Sequence, residues 1–380
     1  MAKRKPVSST PSDAEILNGL IDYFLKKGSM KSIAKELNIE FGQFRNKLRD
    51  AYEQNYILIN PPENKNKIEK LNSTWPKVKH HVLNASGDHF FRYTQGVFFK
   101  ELGDLLNERD MHSSKKPLCI GVVSGRTSGG MIESICNMND TWGSYIRLDL
   151  LPKEINIYAL NVSQTDGYDQ LRGNANILTY QLAHRFQAEV AQSKVEAFGL
   201  SAALLQSKKE RQKTDCSKVM SELLKKTDPN RLASSLKAQK QDTPSDLPEE
   251  SQLDMIITGV GSLADSFFVG YCRANEFELD QFHMHHIAGD IAYNPVDNIG
   301  EPKHLLNKKG ETCEFYCAVS LEVLREMSYS SSKRVIVVAR NSKTSKKIDI
   351  IHAAIYGDHP LCDVLITDDE TAEGLFAKFC

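Results

Sequence analysis

The chain has 380 residues, of which 41% are hydrophobic and 26% charged, so it can bury one large core and a smaller one. Its net charge of −1 excludes a general attraction to nucleic acid, and DNA binding would need a locally basic surface. The sequence contains no secretory signal, no apolar run of membrane-spanning length and no paired cysteine motif among its eight cysteines. We therefore expect a cytoplasmic protein with reduced thiols that makes no use of a membrane, a metal or another cofactor.

Helical spacing of apolar residues begins at residue 13, after a basic arm over residues 1–12. Within residues 13–60 we predict three helices, the second from Met30 to Leu37 and the third from about Phe41 to Asn55. The short polar turn between these two helices is typical of a helix-turn-helix domain. The apolar residues 56–59 add a possible small strand, as in a winged helix.

The outward face of the third helix carries amide and cationic side chains, which can contact base edges or phosphates. Over residues 1–59, ten Lys and Arg stand against seven Asp and Glu, a charge of +3. The alternative is a helical module that binds protein. The predicted DNA-contacting residues are Lys31, Gln43, Arg45, Asn46, Lys47 and Arg49.

We expect residues 61–76 to form a linker helix that ends before Pro76, and residues 77–380 to form an α/β domain. Short apolar strands alternate there with amphipathic helices, which predicts a mainly parallel, Rossmann-like sheet covered on both faces. Residues 205–250 are polar and indicate a helical excursion. The predicted strands are 78–83, 118–123, 155–160, 255–258, 334–339 and 364–367, and the main predicted helices are 96–106, 174–189 and 348–355.

The loop after the predicted strand 118–123 contains hydroxyl, glycine and arginine residues and leads into a helix. Backbone N–H groups, hydroxyls and a cation at a helix N-terminus are suited to a phosphate. The same kind of turn is also common without a ligand, and it matches neither nucleotide-binding fingerprint. The candidate ligand residues in this loop are Ser124, Gly125, Arg126, Thr127 and Ser128.

Other polar residues follow other strands, and parallel strands bring their carboxyl ends to one edge of a sheet. Asp290 could bind a sugar or act as a base, or cap a turn. His283, His285 and His286 are best explained by a partly exposed strand rather than a metal site. The further candidate ligand residues are Gln164, Asp166, Gly261, Ser262, Asp290, Lys343 and Lys347.

Several motifs in order resemble the SorC family of sugar-sensing transcriptional regulators, from about Ala14 to Cys380. In the first domain the resemblance lies in residues 33–39. In the second it lies in residues 122–127, 174–176, 182–183, 255–263, 286–291, 334–339, 353–355 and 365–372. The third helix of the head departs from the family pattern at Glu40-Phe41 and Arg45-Asn46, as do Arg126 in the phosphate loop and Arg340-Asn341 after the late strand.

The resemblance implies a homo-oligomer that binds operator DNA, with an effector domain of the sugar-phosphate isomerase and deaminase type used for sensing. It implies phosphate contacts at Gly125, Thr127 and Ser128, together with either Lys343 or Lys347. We therefore predict a regulator responsive to a small sugar or sugar phosphate, and not an enzyme. Two alternatives remain: an isomerase- or deaminase-like enzyme using Asp166, Asp290 or His286, and a degenerate regulator that acts through protein contacts.

Overall fold

The structure, a computed structural model, divides into two compact units, Met1–Asn60 with Met138–Ser144, and Pro61–Asn137 with Tyr145–Cys380. Among the residues described, no helix has the length and apolar character needed to cross a membrane. The described residues are 30–53, 63–110, 116–138, 142–161, 172–190, 192–199, 205–207, 253–264, 266–274, 277, 280–306, 310, 312–315, 319–341 and 346–380. The basic arm, the first predicted helix and the possible strand at 56–59 lie outside them.

In the smaller unit, helices α1 (Met30–Glu36) and α2 (Phe41–Glu53) are joined by a four-residue turn, as the helix-turn-helix pattern predicts. Asn38 adopts a positive φ of 53° in this turn, where asparagine is tolerated. The Ile39 amide then donates a hydrogen bond to the Ala34 carbonyl at 3.0 Å. Ala34 and Phe44 are buried, so each helix contributes an apolar residue to the interior of this unit.

The larger unit is built on a seven-stranded parallel sheet with the strand order β1-β13-β12-β6-β2-β3-β4. Strands β2, β6, β12 and β13 are buried along their whole length, as expected for a sheet covered on both faces. The strands of this sheet are β1 (Lys79–Leu83), β2 (Leu118–Val122), β3 (Glu154–Ala159), β4 (Lys194–Phe198), β6 (Met255–Thr258), β12 (Arg334–Val338) and β13 (Val364–Asp368).

Two small antiparallel sheets accompany the large one. They consist of β5 (Leu205–Ser207) with β10 (Leu305–Leu306) and β11 (Thr312–Phe315), and of β7 (Val260–Ser262) with β8 (Gly289–Ile291) and β9 (Asn294–Val296). The α-helices of the larger unit within the described residues are α3 (Lys65–Thr74), α4 (Gly87–Asp110), α5 (Arg126–Cys136), α6 (Ala175–Glu189), α7 (Phe267–Ala274), α8 (Asp280–Met284), α9 (Leu321–Tyr329), α10 (Ile348–Ile355) and α11 (Asp369–Phe379).

Helix α3, predicted as a linker, is packed on the larger unit. Asn64 caps its first turn through the Lys67 amide and donates to Asp369 at 2.8 Å. Lys67 forms an ion pair with the same carboxylate at 2.6 Å, and Leu71 is fully buried. Helix α3 is therefore part of the larger unit, packed beside β1 at the edge of the sheet.

Three local predictions were wrong. His283 lies on the short helix α8, and His285 and His286 lie in the turn after it, where His286 has a φ of 52°. Residues 205–207 form a strand and not a helix, because they pair with β11. Strand β4 was not predicted, since its alternating, half-exposed residues give a weak pattern at the sheet's edge.

Candidate functional site

In the large sheet, the order in which successive strands are added reverses between the neighbouring strands β2 and β6. From β2 the connection runs outward through β3 to β4, while β6, on the other side, is followed by β12 and β13. A cavity of about 250 Å³ lies at the carboxyl ends of these strands, lined by residues from the loops after β2, β6 and β12 and from the β8–β9 hairpin. This is the switch point at which open α/β sheets usually bind ligands.

The loop after β2 presents the start of helix α5 to the cavity. Gly125, Arg126 and Thr127 all line it, and the N-cap Gly125 provides no side-chain hydrogen bond to the first turn. The Gly125 amide donates to the Arg172 carbonyl at 3.0 Å, which holds the loop from the other side. A Cβ at Gly129 would lie 2.8 Å from the Arg172 backbone, so glycine permits this close approach.

Ser124 is a cavity-lining residue whose hydroxyl is engaged by other protein groups. It accepts a hydrogen bond from Asn161 Nδ2 at 2.8 Å and lies 3.2 Å from the Tyr293 hydroxyl. The Asn161 side chain also accepts from the Ser124 amide at 2.8 Å. Ser124 thus ties the loops after β2 and β3 to the β8–β9 hairpin, which fixes the cavity wall.

Asp290 supplies a buried carboxyl group to the cavity. It lies on β8, 5% exposed, and its Oδ2 accepts from the Tyr293 amide at 3.2 Å. Its Oδ1 has no hydrogen-bond partner among the described residues, while the Ser266 side chain lies near enough to the carboxyl group to favour its charged form. Burial raises the pKa of Asp290 to about 7, although the Tyr293 amide and the charge of Lys347 oppose the shift.

Lys347 brings a cation to the cavity from the start of helix α10. Its amide donates to Asn341 Oδ1 at 2.9 Å, and the Asn341 amide donates to Thr371 Oγ1 at 2.7 Å. The loop after β12 is thereby fastened both to α10 and to α11. This arrangement sets a positive charge near the carboxyl group of Asp290.

The structure brings seven of the twelve predicted ligand residues together around the cavity. Ser128 and Ser262 are buried and do not line it; the Ser128 hydroxyl donates to the Val123 carbonyl. Gln164, Asp166 and Lys343 lie outside the described residues. The seven in the cavity are Ser124, Gly125, Arg126, Thr127, Gly261, Asp290 and Lys347.

Sequence reasoning did not propose several residues that line the cavity. Arg172 belongs to no motif, and only its position just before the Asn174 cap of helix α6 could have drawn attention to it. Arg340 and Asn341 were noted as unusual for the family but were not assigned a role. Further lining residues that were not proposed are Phe91, Val123, Gly259, Val260, Ser266, Phe267, Phe268, Ala292 and Tyr293.

The predicted DNA-contacting residues lie on the two helices of the smaller unit. Their side chains are exposed where the structure describes them, and Lys31 lies 6.0 Å from the centre of the Phe41 ring. The side chain of Arg49 lies outside the described residues. The exposed ones are Lys31, Gln43, Arg45, Asn46 and Lys47.

A scan against protein-family models and a search of curated proteins find no match to this chain. Among solved structures it is similar to the full-length sorbitol operon regulator SorC from Klebsiella pneumoniae, with a TM-score of 0.53 and 18% identity over 96% of this chain and 99% of that one. The chain has the SorC regulator fold. A domain of a possible sugar-binding transcriptional regulator from Arthrobacter aurescens TC1 aligns with a TM-score of 0.50 and 14% identity, covering 84% of this chain and 100% of that one. These likenesses confirm the predicted fold class.

Proposed function

We propose that this chain is a cytoplasmic, homo-oligomeric transcriptional regulator that binds operator DNA and responds to a small sugar phosphate. The observation that carries the proposal is the composition of the cavity at the sheet's switch point. It combines a helix N-terminus at Thr127, a cation at Lys347 and the buried Asp290, whose Oδ1 accepts no hydrogen bond from the part of the chain that the structure describes. These groups match the two parts of a sugar phosphate.

The phosphate is proposed to lie at the start of α5, since the first N–H groups of a helix lack intrahelical acceptors and favour an anion. Thr127 and Lys347, which both line the cavity, supply a hydroxyl and a positive charge. A sugar hydroxyl then lies against Asp290. Leaving a buried polar atom unpaired costs about 1–3 kcal/mol, so a ligand that pairs with Oδ1 recovers that free energy on binding.

The proposed role in transcription is supported by the smaller unit and by the similar solved structures. Both structures reported above carry the description of a regulator in their names, one of a sorbitol operon and one of a possible sugar-binding type. Helices α1 and α2 form the predicted turn motif and expose cationic and amide side chains. A sugar that favours one of two arrangements of the oligomer would change its affinity for DNA.

Lys347→Ala is expected to remove most of the thermal stabilisation that a sugar phosphate confers, because the phosphate loses its cation. The measurement is a thermal-shift screen of sugar phosphates and their unphosphorylated parents, in which a ligand that binds the native state raises Tm. Lys346→Ala is the matched control, since Lys346 is exposed and does not line the cavity. Equal loss in both variants, or no shift with any sugar phosphate, contradicts the proposed site.

Arg45→Ala is expected to weaken DNA binding and to reduce the slope of log K against log salt by about 1, the effect of one lost phosphate contact. The assay is fluorescence anisotropy over a salt series, with a duplex selected from a random-sequence pool. Arg147→Ala is the control, because this arginine is exposed in the larger unit. Failure of the pool to yield any preferred sequence would overturn the regulator proposal.

One observation favours a second candidate, an isomerase- or deaminase-like enzyme. A buried carboxyl group with a pKa of about 7 beside a lysine is suited to general acid–base catalysis. His286, one of the bases considered from the sequence, is exposed and does not line the cavity. Turnover of a pentose or hexose phosphate that Asp290→Asn abolishes would establish the enzyme in place of the sensor.

A further inference from the structure

The first turn of helix α11 is held by the loop that follows β12 and lines the cavity. Asp368, the N-cap of α11, accepts from Arg340 Nε at 2.9 Å and from the Thr371 amide at 3.0 Å. The Thr371 hydroxyl donates to Asp368 and accepts from the Asn341 amide at 2.7 Å. Asp368 is 5% exposed and Thr371 is fully buried. These four residues therefore form a closed set of contacts, shielded from water, between the loop and α11.

The same turn is also held by helix α3. The carboxyl group of Asp369 accepts from Asn64 Nδ2 at 2.8 Å and pairs with Lys67 Nζ at 2.6 Å. Lys67 Nζ also donates to the Asp369 backbone carbonyl at 3.3 Å, and the Lys67 side chain is only 18% exposed. The Asn64 amide in turn donates to the Val82 carbonyl of β1 at 2.9 Å. One residue of α11 therefore joins the start of α3, which is itself fastened to the edge of the sheet.

These two sets of contacts connect the cavity with the segment that leads to the smaller unit. At one end, Asn341 Oδ1 accepts from the amide of Lys347, the cation proposed for the phosphate. At the other end, the smaller unit ends at Asn60 and α3 begins at Lys65. Because adjacent residues of α11 make the two sets of contacts, the path from the cavity to α3 is continuous.

Part of this path is particular to this chain. Arg340-Asn341 departs from the family pattern that the rest of the domain resembles, and each of the two side chains makes one of the contacts. Arg340 reaches Asp368, and its guanidinium group lies 4.9 Å from the centre of the Phe90 ring. Asn341 holds the start of α10 through the Lys347 amide. The loop after β12 therefore fastens α11 as well as lining the cavity.

We propose that the first turn of α11 transmits occupancy of the cavity to helix α3. A phosphate held by Lys347 restrains the loop after β12, and the loop restrains Asp368 and Asp369. Because α3 opens locally only by releasing Asp369, its opening becomes rarer when the cavity is filled. Asp369 and Lys67 do not line the cavity, so they act as positioning residues. The inference rests on the proposed sugar-phosphate function and adds the route by which the ligand affects the segment next to the smaller unit.

The test is hydrogen exchange of the full chain, followed by mass spectrometry with and without a probe. The probes are the sugar phosphates of the thermal-shift screen, beginning with fructose 6-phosphate and glucose 6-phosphate. In the wild type, a probe is expected to slow exchange about five-fold or more in residues 124–130, at the cavity, and in residues 65–74, which form α3. The second effect measures what reaches α3.

Asp369→Asn is expected to keep the slowing in residues 124–130 and to lose it in α3, because the amide retains the shape of the carboxylate but not its charge. Lys67→Gln is expected to do the same, whereas Lys67→Arg keeps the cation and is expected to retain the response of α3. Lys378→Gln is the control, since it removes an exposed ion pair with Asp349 elsewhere on α11. Two variants from different helices keep the test valid if one of them fails to fold.

The ratio of exchange rates with and without the probe separates transmission from a merely structural role. A structural role raises exchange in α3 equally in both conditions and leaves that ratio unchanged. Slowing in α3 that survives both Asp369→Asn and Lys67→Gln, or slowing confined to residues 124–130 in the wild type, would overturn transmission through α11 alone. No slowing in residues 124–130 with any sugar phosphate of the screen would overturn the sugar-phosphate function as well.

Discussion

Gly261→Ala is expected to weaken the binding of a sugar phosphate and to destabilise the larger unit. Gly261 lies opposite Asp290 in the antiparallel pair of β7 and β8, and the Asp290 carboxyl group crosses directly over it. A Cβ at this position would overlap Asp290 Oδ1 and would lie 2.9 Å from the Ser266 Cβ. The added methyl group must therefore displace the carboxyl group from the cavity wall.

The expected result is a loss of affinity of ten-fold or more, about 1.4 kcal/mol, together with about 1–3 kcal/mol of stability lost to overpacking. Titration calorimetry and urea unfolding measure the two effects separately. Gly270→Ala provides the matched control, because nothing lies within 4 Å of a Cβ built on that exposed helical glycine. Wild-type affinity in Gly261→Ala would show that Asp290 does not contribute to the ligand site.

Glu101→Ala is expected to cause the largest loss of stability, about 3–5 kcal/mol, by removing the carboxylate that the buried His81 and Arg334 side chains face. Glu101, on α4, is fully buried and lies 2.6 Å from Lys79 Nζ and 3.1 Å from His81 Nε2. Arg334 Nε approaches its other oxygen at 3.7 Å. The network ties α4 to strands β1 and β12 of the large sheet.

Urea unfolding of both proteins measures this loss. Asp104→Ala is the control, since Asp104 contacts the same Lys79 at 3.1 Å but is 44% exposed, and exposed pairs contribute about 1 kcal/mol or less. A loss in Glu101→Ala no larger than that in Asp104→Ala would show that the buried network does not stabilise the fold.

The same network sets a pH dependence of stability. Burial alone would lower the pKa of His81, but hydrogen bonds with Glu101 and Glu63 outweigh it and raise that pKa above 6.5. The contribution of protonated His81 to the free energy of unfolding is complete below pH 6.5 and is lost as the pH rises through the raised pKa of His81. Burial would raise the pKa of Glu101, but His81 and Lys79 lower it to about 2, so its contribution is lost as the pH falls from 4.5 towards 2.

The difference in unfolding free energy between wild type and Glu101→Ala is therefore expected to be largest between pH 4.5 and 6.5 and to narrow on either side. Urea unfolding across this pH series measures the difference. A difference that does not change with pH would contradict the charged state assigned to His81 and Glu101.

Local pattern in the sequence determined the main elements of the large sheet. The strands at 118–122, 334–338 and 364–368 were predicted to within one residue at either end, because short stretches dominated by apolar residues suit a strand buried on both faces. The same reasoning located the loops that line the cavity, since the carboxyl ends of parallel strands share one edge. Seven proposed ligand residues followed from that rule.

The β8–β9 hairpin depends on tertiary contacts, and the sequence did not indicate it. Its two-residue turn, Ala292-Tyr293, has φ values of 50° and 64°, where Asn-Gly would be usual. Such a conformation costs a non-glycine residue about 1–3 kcal/mol, and it is held here by burial and by the contact of the Tyr293 hydroxyl with Ser124. No local pattern predicts a turn that is stabilised by a distant loop.

The sequence by itself therefore determined six of the seven strands of the large sheet and which loops meet at the switch point. Only the tertiary structure decided the chemical character of the cavity. Asp290 acquires its raised pKa from burial beneath neighbouring loops, and Arg172 and Arg340 reach the cavity because Phe91 and their carboxylate partners hold them there. Periodicity reports only what a residue's sequence neighbours are, whereas desolvation and charge depend on groups brought close by folding.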